Sequence, residues 1–424
     1  MRDDPLASDA AAQAGLAHVG AASFLASRVV PTGGYAVALA GGVALARAAQ
    51  LAGMRIGYGA SVAAMLQSIA VLGPSRVSVP LTQALSAPLL GRLHVRGAHL
   101  ATQIGACAAI RASDQTLFTL FYIWLVGGVQ AYAATYDVVA GRIPGVPGGT
   151  SAALVATALV LVAWTAFAST VQVLTYRAAL RGWPAEPPDP SDPSAPVTAA
   201  VADADGGHRQ QRPRPRPRYD PRAVAVAALL ASCALLATTE WLVLGAVSGW
   251  LVIAWATARA DAAPVRAGLS LAVLLGGGVL AFGLIGGVGL ELTLRRTLRA
   301  VLLVLVATWL RAAAGEPGVR EIVRRSLRRL RRIPAMAEAA HMLDRLGAGG
   351  ALGASGRALV AQVQGVPRRP GPLARAVLRW VAAEAVSLRP PPAAAVTTLR
   401  TTWRDGALIA GVIALVAVAV VSKG

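Results

Sequence analysis

The chain has 424 residues, of which 55% are hydrophobic and only 14% charged, and its mean hydropathy is +0.57. A soluble domain carries about 25% charged residues and covers its surface with them, so much of this surface must face something other than water. That excludes an ordinary cytosolic enzyme and leaves an all-α, polytopic transmembrane protein as the expected fold class. Lys plus Arg number 40 against 20 Asp plus Glu, a net of +20, and every basic residue except Lys423 is an arginine. Such uniform arginine usage reflects coding bias, so the arginine count alone is no argument for phosphate chemistry, and no nucleic-acid partner is expected.

In chain order, residues 1–30 lack a basic start, an apolar run and a small-residue cleavage site, so no cleaved signal peptide is expected. A bilayer-crossing helix needs roughly 20 apolar residues, or about 17 where its flanks snorkel. The first module, residues 1–181, offers spans at 34–53, 58–73, 116–136 and 151–175, while the apolar stretch 98–110 is too short and reads as re-entrant or interfacial. Residues 182–222 hold ten of the 26 prolines and the run Arg212 to Arg218, in which arginine and proline alternate. Proline at this density denies the backbone regular hydrogen bonding, so a disordered or extended linker is expected, merely solvated or drawn to anionic head groups.

A second membrane module, 223–314, offers spans at 223–238, 240–258, 267–290 and 298–314, and a ninth span closes the chain within 406–424. Gly276, Gly277, Gly278 and Gly283 in the third of these let helices approach closely, so packing is their simplest role. Residues 315–405 are expected to be cytoplasmic and helical, because 17 arginines against six acidic residues fall between Arg311 and Asp405 and positive charge stays inside. The same rule puts the N-terminus in the cytoplasm and the C-terminus outside a bacterial inner membrane, with Arg55, Arg142, Arg295 and Arg296 as exceptions. In this region Val323, Leu327 and Leu330 recur at helical spacing among Arg324, Arg325, Arg328 and Arg329, and Pro334 ends the run. Leu373, Val377, Val381 and Leu388 mark a second stripe, with Trp380 at its edge. Basic amphipathic helices of this kind either lie on the bilayer or offer a face to a partner.

No P-loop, His-Glu-x-x-His, paired cysteines or nucleophile elbow occurs, so no cofactor, metal or catalytic residue is expected. Cys107 and Cys233 read as buried small hydrophobes. Ionisable or polar groups inside spans are functional suspects by default, which singles out Arg47, Gln67, Gln130 and Glu240. Glu240 is simplest as a turn residue and Glu291 as the helix partner of Arg295. Gln50, Gln67, Gln130 and Gln172 would line a shared polar path or bind helix to helix.

From Tyr219 onward, Asp220-Pro221-Arg222 before an apolar span, Gly289 to Arg299 opening another, and Gly315-Glu-Pro-Gly-Val-Arg-Glu-Ile-Val leading into a basic helix resemble the T component of energy-coupling-factor transporters. The likeness covers about 130 residues. It implies a membrane subunit whose cytoplasmic helices, here those after Glu316, dock on a separate ATPase pair. The family's Ala-Arg-Gly signature does not occur here, and residues 1–180 have no counterpart in it. The expected function is therefore a transport component energised by another cytoplasmic subunit, with Arg324, Arg325, Leu327, Arg328, Arg329 and Leu330 as the partner-binding set. The alternatives are a membrane scaffold that holds anionic lipid or a soluble partner, and a lipid-processing or lipid-translocating protein.

Overall fold

A computed structural model describes residues 5–28, 34–74, 81–183, 218–258, 262–287, 289–346, 349–364, 366, 370–387 and 401–421. These are helical, with no strand among them. Of the expected linker, residues 184–217 lie outside the described residues, with Arg212 and most of its prolines, whereas Arg218 is described and donates to the Thr257 carbonyl at 3.0 Å. In chain order the helices are α1 Pro5–Ala26, α2 Gly34–Leu72, α3 Leu81–Val95, α4 Leu100–Leu120, α5 Val129–Ala140, α6 Thr150–Arg181, α7 Pro221–Ala237, α8 Trp241–Thr257, α9 Ala262–Ile285, α10 Leu290–Arg329, α11 Pro334–Arg345, α12 Gly349–Gln364, α13 Pro370–Ser387 and α14 Trp403–Val421.

Four helices are long and apolar enough to cross a membrane, Val37–Leu72, Thr150–Arg181, Pro264–Ile285 and Leu290–Arg329, or five if the pair Leu100–Trp124 and Val129–Ala140 is one bent span. Nine straight spans are thus more than these criteria support, and the reasons are local. Gly53, at φ 84° and ψ 176°, breaks α2 between the expected spans 34–53 and 58–73, so Val37–Leu72, counted once by length and composition, is two arms divided where the sequence places the boundary. A side chain at Gly57 would run into Ala49, which shows how closely the arms pack. The stretch 98–110 is no separate segment but the first half of α4, which continues through a π-type turn at Phe121–Gly127 and then bends by 98° into α5. Helices α7 and α8 stand where two further spans are expected and have 17 residues each, the least that the expectation allows. That is roughly 25 Å of helix against a hydrocarbon core of about 30 Å.

Two of these helices wear the surface of a lipid-facing segment. Along α6, Val155, Leu159, Val160, Val162 and Phe167 are exposed, as are Leu269, Val273, Leu274 and Leu284 along α9. A helix that is apolar all round and unburied cannot stay in water. By contrast α1 and α2 are interior. Phe24, Leu45, Ala44, Ala60 and Ala63 belong to a core that also takes in Tyr176 of α6, Leu90 of α3, and Leu343, Leu352, Leu359 and Trp380 of α11 to α13. A second core joins α7, α8, the first arm of α10 and α14, with Trp309 edge-on to Trp250 at 5.2 Å and donating its indole N–H to the Ala254 carbonyl at 3.1 Å.

Caps account for several helix ends. Asp220 accepts from the Arg222 amide at 2.8 Å with Pro221 at the first helical position, and its own buried amide donates to Asp405 Oδ1 at 2.8 Å. Asp405 Oδ2 accepts from the Thr402 amide at 2.6 Å, so one carboxylate ties the starts of α7 and α14 together. The glycines of α9 divide by face. A methyl at Gly276 would come within 2.6 Å of Val301, and one at Gly283 would strike Thr293, whereas Gly277 and Gly278 look into open space. Gly276→Leu is therefore expected to lower stability by about 2 kcal/mol through overpacking, and Gly277→Leu hardly at all. Thermal melts in detergent distinguish the two, and equal losses would contradict the packing.

Candidate functional site

Helix α10 changes character at Gly315, whose φ of 68° breaks it into a membrane-type arm and a basic arm, with Pro317 just inside the second. The basic arm ends at a turn in which Arg328, Arg329, Leu330, Arg331, Arg332 and Ile333 are all exposed. Leu330 and Ile333 keep 48% and 49% of their surface, an apolar pair set among four guanidinium groups. Pro334 opens α11 at once, so the turn is short and its side chains project together.

The six residues expected to bind a partner separate here. Leu327 is buried in the first core, and Val323 packs against it. Arg324 is mostly covered, with Nη2 2.7 Å from Glu321 Oε2 and Nη1 3.8 Å from Asp344 Oδ1. Arg325 Nε lies 2.6 Å from Glu321 Oε1. Arg328 reaches Asp344 Oδ2 at 3.7 Å but remains exposed. Arg329, Arg331 and Arg332 have no ion pair among the described residues, and with Leu330 they form the free part of the surface. Arg331, Arg332 and Ile333 were legible as the residues between the last periodic leucine and the stop at Pro334. Helical spacing favoured the earlier arginines, whose neighbours Glu321 and Asp344 already take them up.

This tip is held from both halves of the chain. Arg320 donates to the carbonyls of Leu343 and Leu346, closing the C-terminal end of α11 against the basic arm of α10. Arg55, in the second arm of α2, donates to Glu338 Oε1 of α11 at 2.6 Å. Arg311 Nε donates to the Val71 carbonyl at 3.0 Å, joining the membrane arm of α10 to the end of α2. Trp380 lies deep in the core and not at an edge, because α1 and α2 cover the apolar faces of α11 to α13.

The intramembrane candidates do not converge. Arg47 donates to Gln50 Oε1 at 2.6 Å and lies over the Trp183 ring at 5.2 Å. Gln67 is buried, Gln130 is exposed, and Glu240 is an exposed turn residue 3.5 Å from Arg295, which also pairs with Glu291 at 2.5 Å. Of the four glutamines, Gln50 accepts from Arg47, and Gln172 bonds to Arg111 and Ser86. Cys107 is buried, but Cys233 faces outward from α7.

Two buried polar groups have no local sequence signal. In the first half, Arg111 donates to Gln172 Oε1 at 2.5 Å and to the Tyr35 hydroxyl at 3.2 Å, and Gln172 Nε2 donates to Ser86 Oγ at 2.7 Å. This joins α2, α3, α4 and α6 around neutral partners, while the nearby Asp114 accepts from Thr82. The second group is His18 of α1, Ser355 of α12 and Glu384 of α13, each no more than 3% exposed. His18 Nε2 lies 3.0 Å from Ser355 Oγ, which donates to Glu384 Oε1 at 2.5 Å. Burial pushes the His18 imidazole down to about 4 and raises the Glu384 carboxyl, with the Ser355 bond acting against that rise.

Serine, histidine and carboxylate together invite comparison with a nucleophilic triad, but the polarity is reversed. With the hydroxyl proton directed at an ionised Glu384, the imidazole takes the tautomer whose Nε2–H donates to Ser355 Oγ, and in that arrangement it is no base for the hydroxyl. The group is a joint that fixes α1 to α12 and α13. Among the described residues no cluster of three His, Cys, Asp or Glu could hold a metal ion.

Taken together, the described residues form an all-helical protein with four or five helices fit to cross a membrane and a helical cap, α11 to α13, packed on α1 and α2. No protein-family model matches it, and neither does any curated protein or any solved structure.

Proposed function

We propose that the chain is an integral membrane transport component that works without a nucleotide site of its own, driven by a separate subunit docking on the turn at 328–333. The observation that carries this reading is the continuity of α10. One element, hinged at Gly315, holds both a membrane-type arm and the exposed basic turn. A force applied to Arg329, Arg331 and Arg332 would pass through Arg311 and Arg55 into α2 and through the basic arm into the helices of the second half. Four clustered guanidinium groups around two exposed aliphatic side chains suit an acidic surface with an apolar notch, and the like charges speed its encounter. The basic cap and the exposed apolar helices also favour a cytoplasmic position for this turn in a bacterial inner membrane, under the positive-inside rule.

The test is recovery of the full chain from native membrane in mild detergent, with its companions identified by mass spectrometry. A nucleotide-hydrolysing subunit is expected with the wild type, and at least tenfold less of it with Arg329→Glu, Arg331→Glu and Arg332→Glu combined. These three side chains hold nothing inside the fold, so the melting temperature should stay put. Recovery of no such subunit, or of the same amount with the variant, overturns the reading.

A further inference from the structure

At the C-terminal end of α6 the chain leaves a cavity of about 690 Å³, walled by Gly182 and by Pro372, Ala376 and Leu378 of α13, with Arg375 and Arg379 among its lining residues. The two arginines are four residues apart on one helix, so they share a face and repel each other unless something negative lies between them. Both are exposed, and neither forms an ion pair among the described residues.

The surroundings extend the same charge. Gly182 directly follows Arg181, and Trp183 after it carries the Arg47 guanidinium over its ring. Arg177 stands one turn before Arg181, and its Nη1 is buried without a hydrogen-bond partner, as is the Nε of Arg47. His94, at the end of α3, sits close enough to Arg177 and Arg181 that burial and these two cations together push it down. No carboxylate pairs with Arg47, Arg177, Arg181, Arg375 or Arg379 among the described residues.

Helix α6 is one of the four long and apolar enough to cross a membrane, and Trp183 follows its last turn, an indole ring of the kind that anchors at the interface between lipid and water. Unpartnered guanidinium groups beside apolar walls at that depth are what an anionic head group requires: forks for the phosphate oxygens, and an apolar surface for the glycerol and first methylenes. A lone anion would leave most of the volume empty.

We infer that the crevice between the end of α6 and α13 binds a phosphate oxyanion, presented by the head group of an anionic phospholipid, through Arg375 and Arg379. The inference rests on reading the chain as membrane-embedded and does not depend on any energising subunit. Occupancy would neutralise the gap between α6 and α13 and so brace the helical cap against the first half.

The full chain in nanodiscs of phosphatidylcholine, with and without cardiolipin, tests this through thermal melting and native mass spectrometry of retained lipid. Cardiolipin is expected to raise the melting temperature by several degrees and to remain bound. Arg375→Gln with Arg379→Gln should cut its apparent affinity at least tenfold, while Arg345→Gln with Arg357→Gln, at two other exposed arginines, leaves it unchanged. A parallel arm adds 10 mM inorganic phosphate to phosphatidylcholine discs. If phosphate alone reproduces the shift and the paired variant abolishes it, the oxyanion site stands and its source is a soluble phosphate, which overturns the lipid assignment. Cardiolipin binding equal in wild type and the Arg375 and Arg379 variant, or none in either, overturns the site. Should that variant not fold, Arg375→Lys with Arg379→Lys and the loss of wild-type binding between 50 and 500 mM salt provide the same decision.

Discussion

Gly15→Val is expected to separate α1 from the cap and to cost about 3 kcal/mol of stability, the upper range for an overpacked site. A side chain at Gly15 would meet the backbone carbonyl of Ala385 in α13, and no rotamer change can move a carbonyl that belongs to a helix. The contact is one of a series along α1. Gly356 of α12 sits close to the Ala22 carbonyl, and Gly20 allows Leu45 of α2 to within 3.1 Å of where its Cβ would be. Small residues at these positions let three helices lie against α1 at backbone distance, and the loss of one spreads to its neighbours. Gly105→Ala is the control, since α4 offers open space there and helix propensity favours alanine. Thermal melting and limited proteolysis of α1 in detergent read the difference. A Gly15→Val protein that melts with the Gly105→Ala protein would show that α1 is not packed as described.

The helical class and most helix positions were legible because both rest on short-range pattern. Pro221 and Pro334 start helices, and Asp220 caps one, as those residues do in any chain. The span count was not legible, because alanine-rich helices look the same to hydropathy whether they face lipid or each other. Ala38, Ala44, Ala60 and Ala63 are buried against neighbouring helices, and what marked α2 as interior was its flaws, Arg47 and Gln67. The break at Gly53 was legible as the gap between the spans 34–53 and 58–73, but the φ that only a glycine readily takes there was not. Along α9, Gly276 and Gly283 are seven residues apart and fall on one face, whereas Gly277 and Gly278 are composition without contact.

The tip was partly legible and the joint not at all. A run of arginines ending at a proline predicts a basic turn, but which guanidinium groups are free depends on Asp344, which lies 20 residues after Arg324 and takes it up along with Arg328. Ser355 and His18 are separated by 337 positions, and neither stands in a motif. Only the packing of α1 across α12 and α13 brings them within reach, so a search of spacing could not find them.

That joint makes the second large effect one of pH. His18 stays neutral in the fold down to about pH 4, while an unfolded histidine takes up its proton near 6.5. As pH falls the unfolded chain binds the proton first, so the histidine's contribution to stability is complete above about 6.5, shrinks between 6.5 and 4, and is gone below. The difference of about 2.5 pH units corresponds to about 3 kcal/mol. Glu384 acts in the opposite sense. Its raised carboxyl favours the fold at low pH and loses that contribution as pH rises through its folded value. The comparison that isolates the histidine is His18→Gln, whose amide can still donate to Ser355 Oγ but carries no titrating group. Measured by melting between pH 4 and 7.5, the wild type should lose stability toward acid relative to the variant by roughly this amount, with α1 becoming open to protease as it does so. Parallel profiles would mean that His18 is not held neutral in the fold.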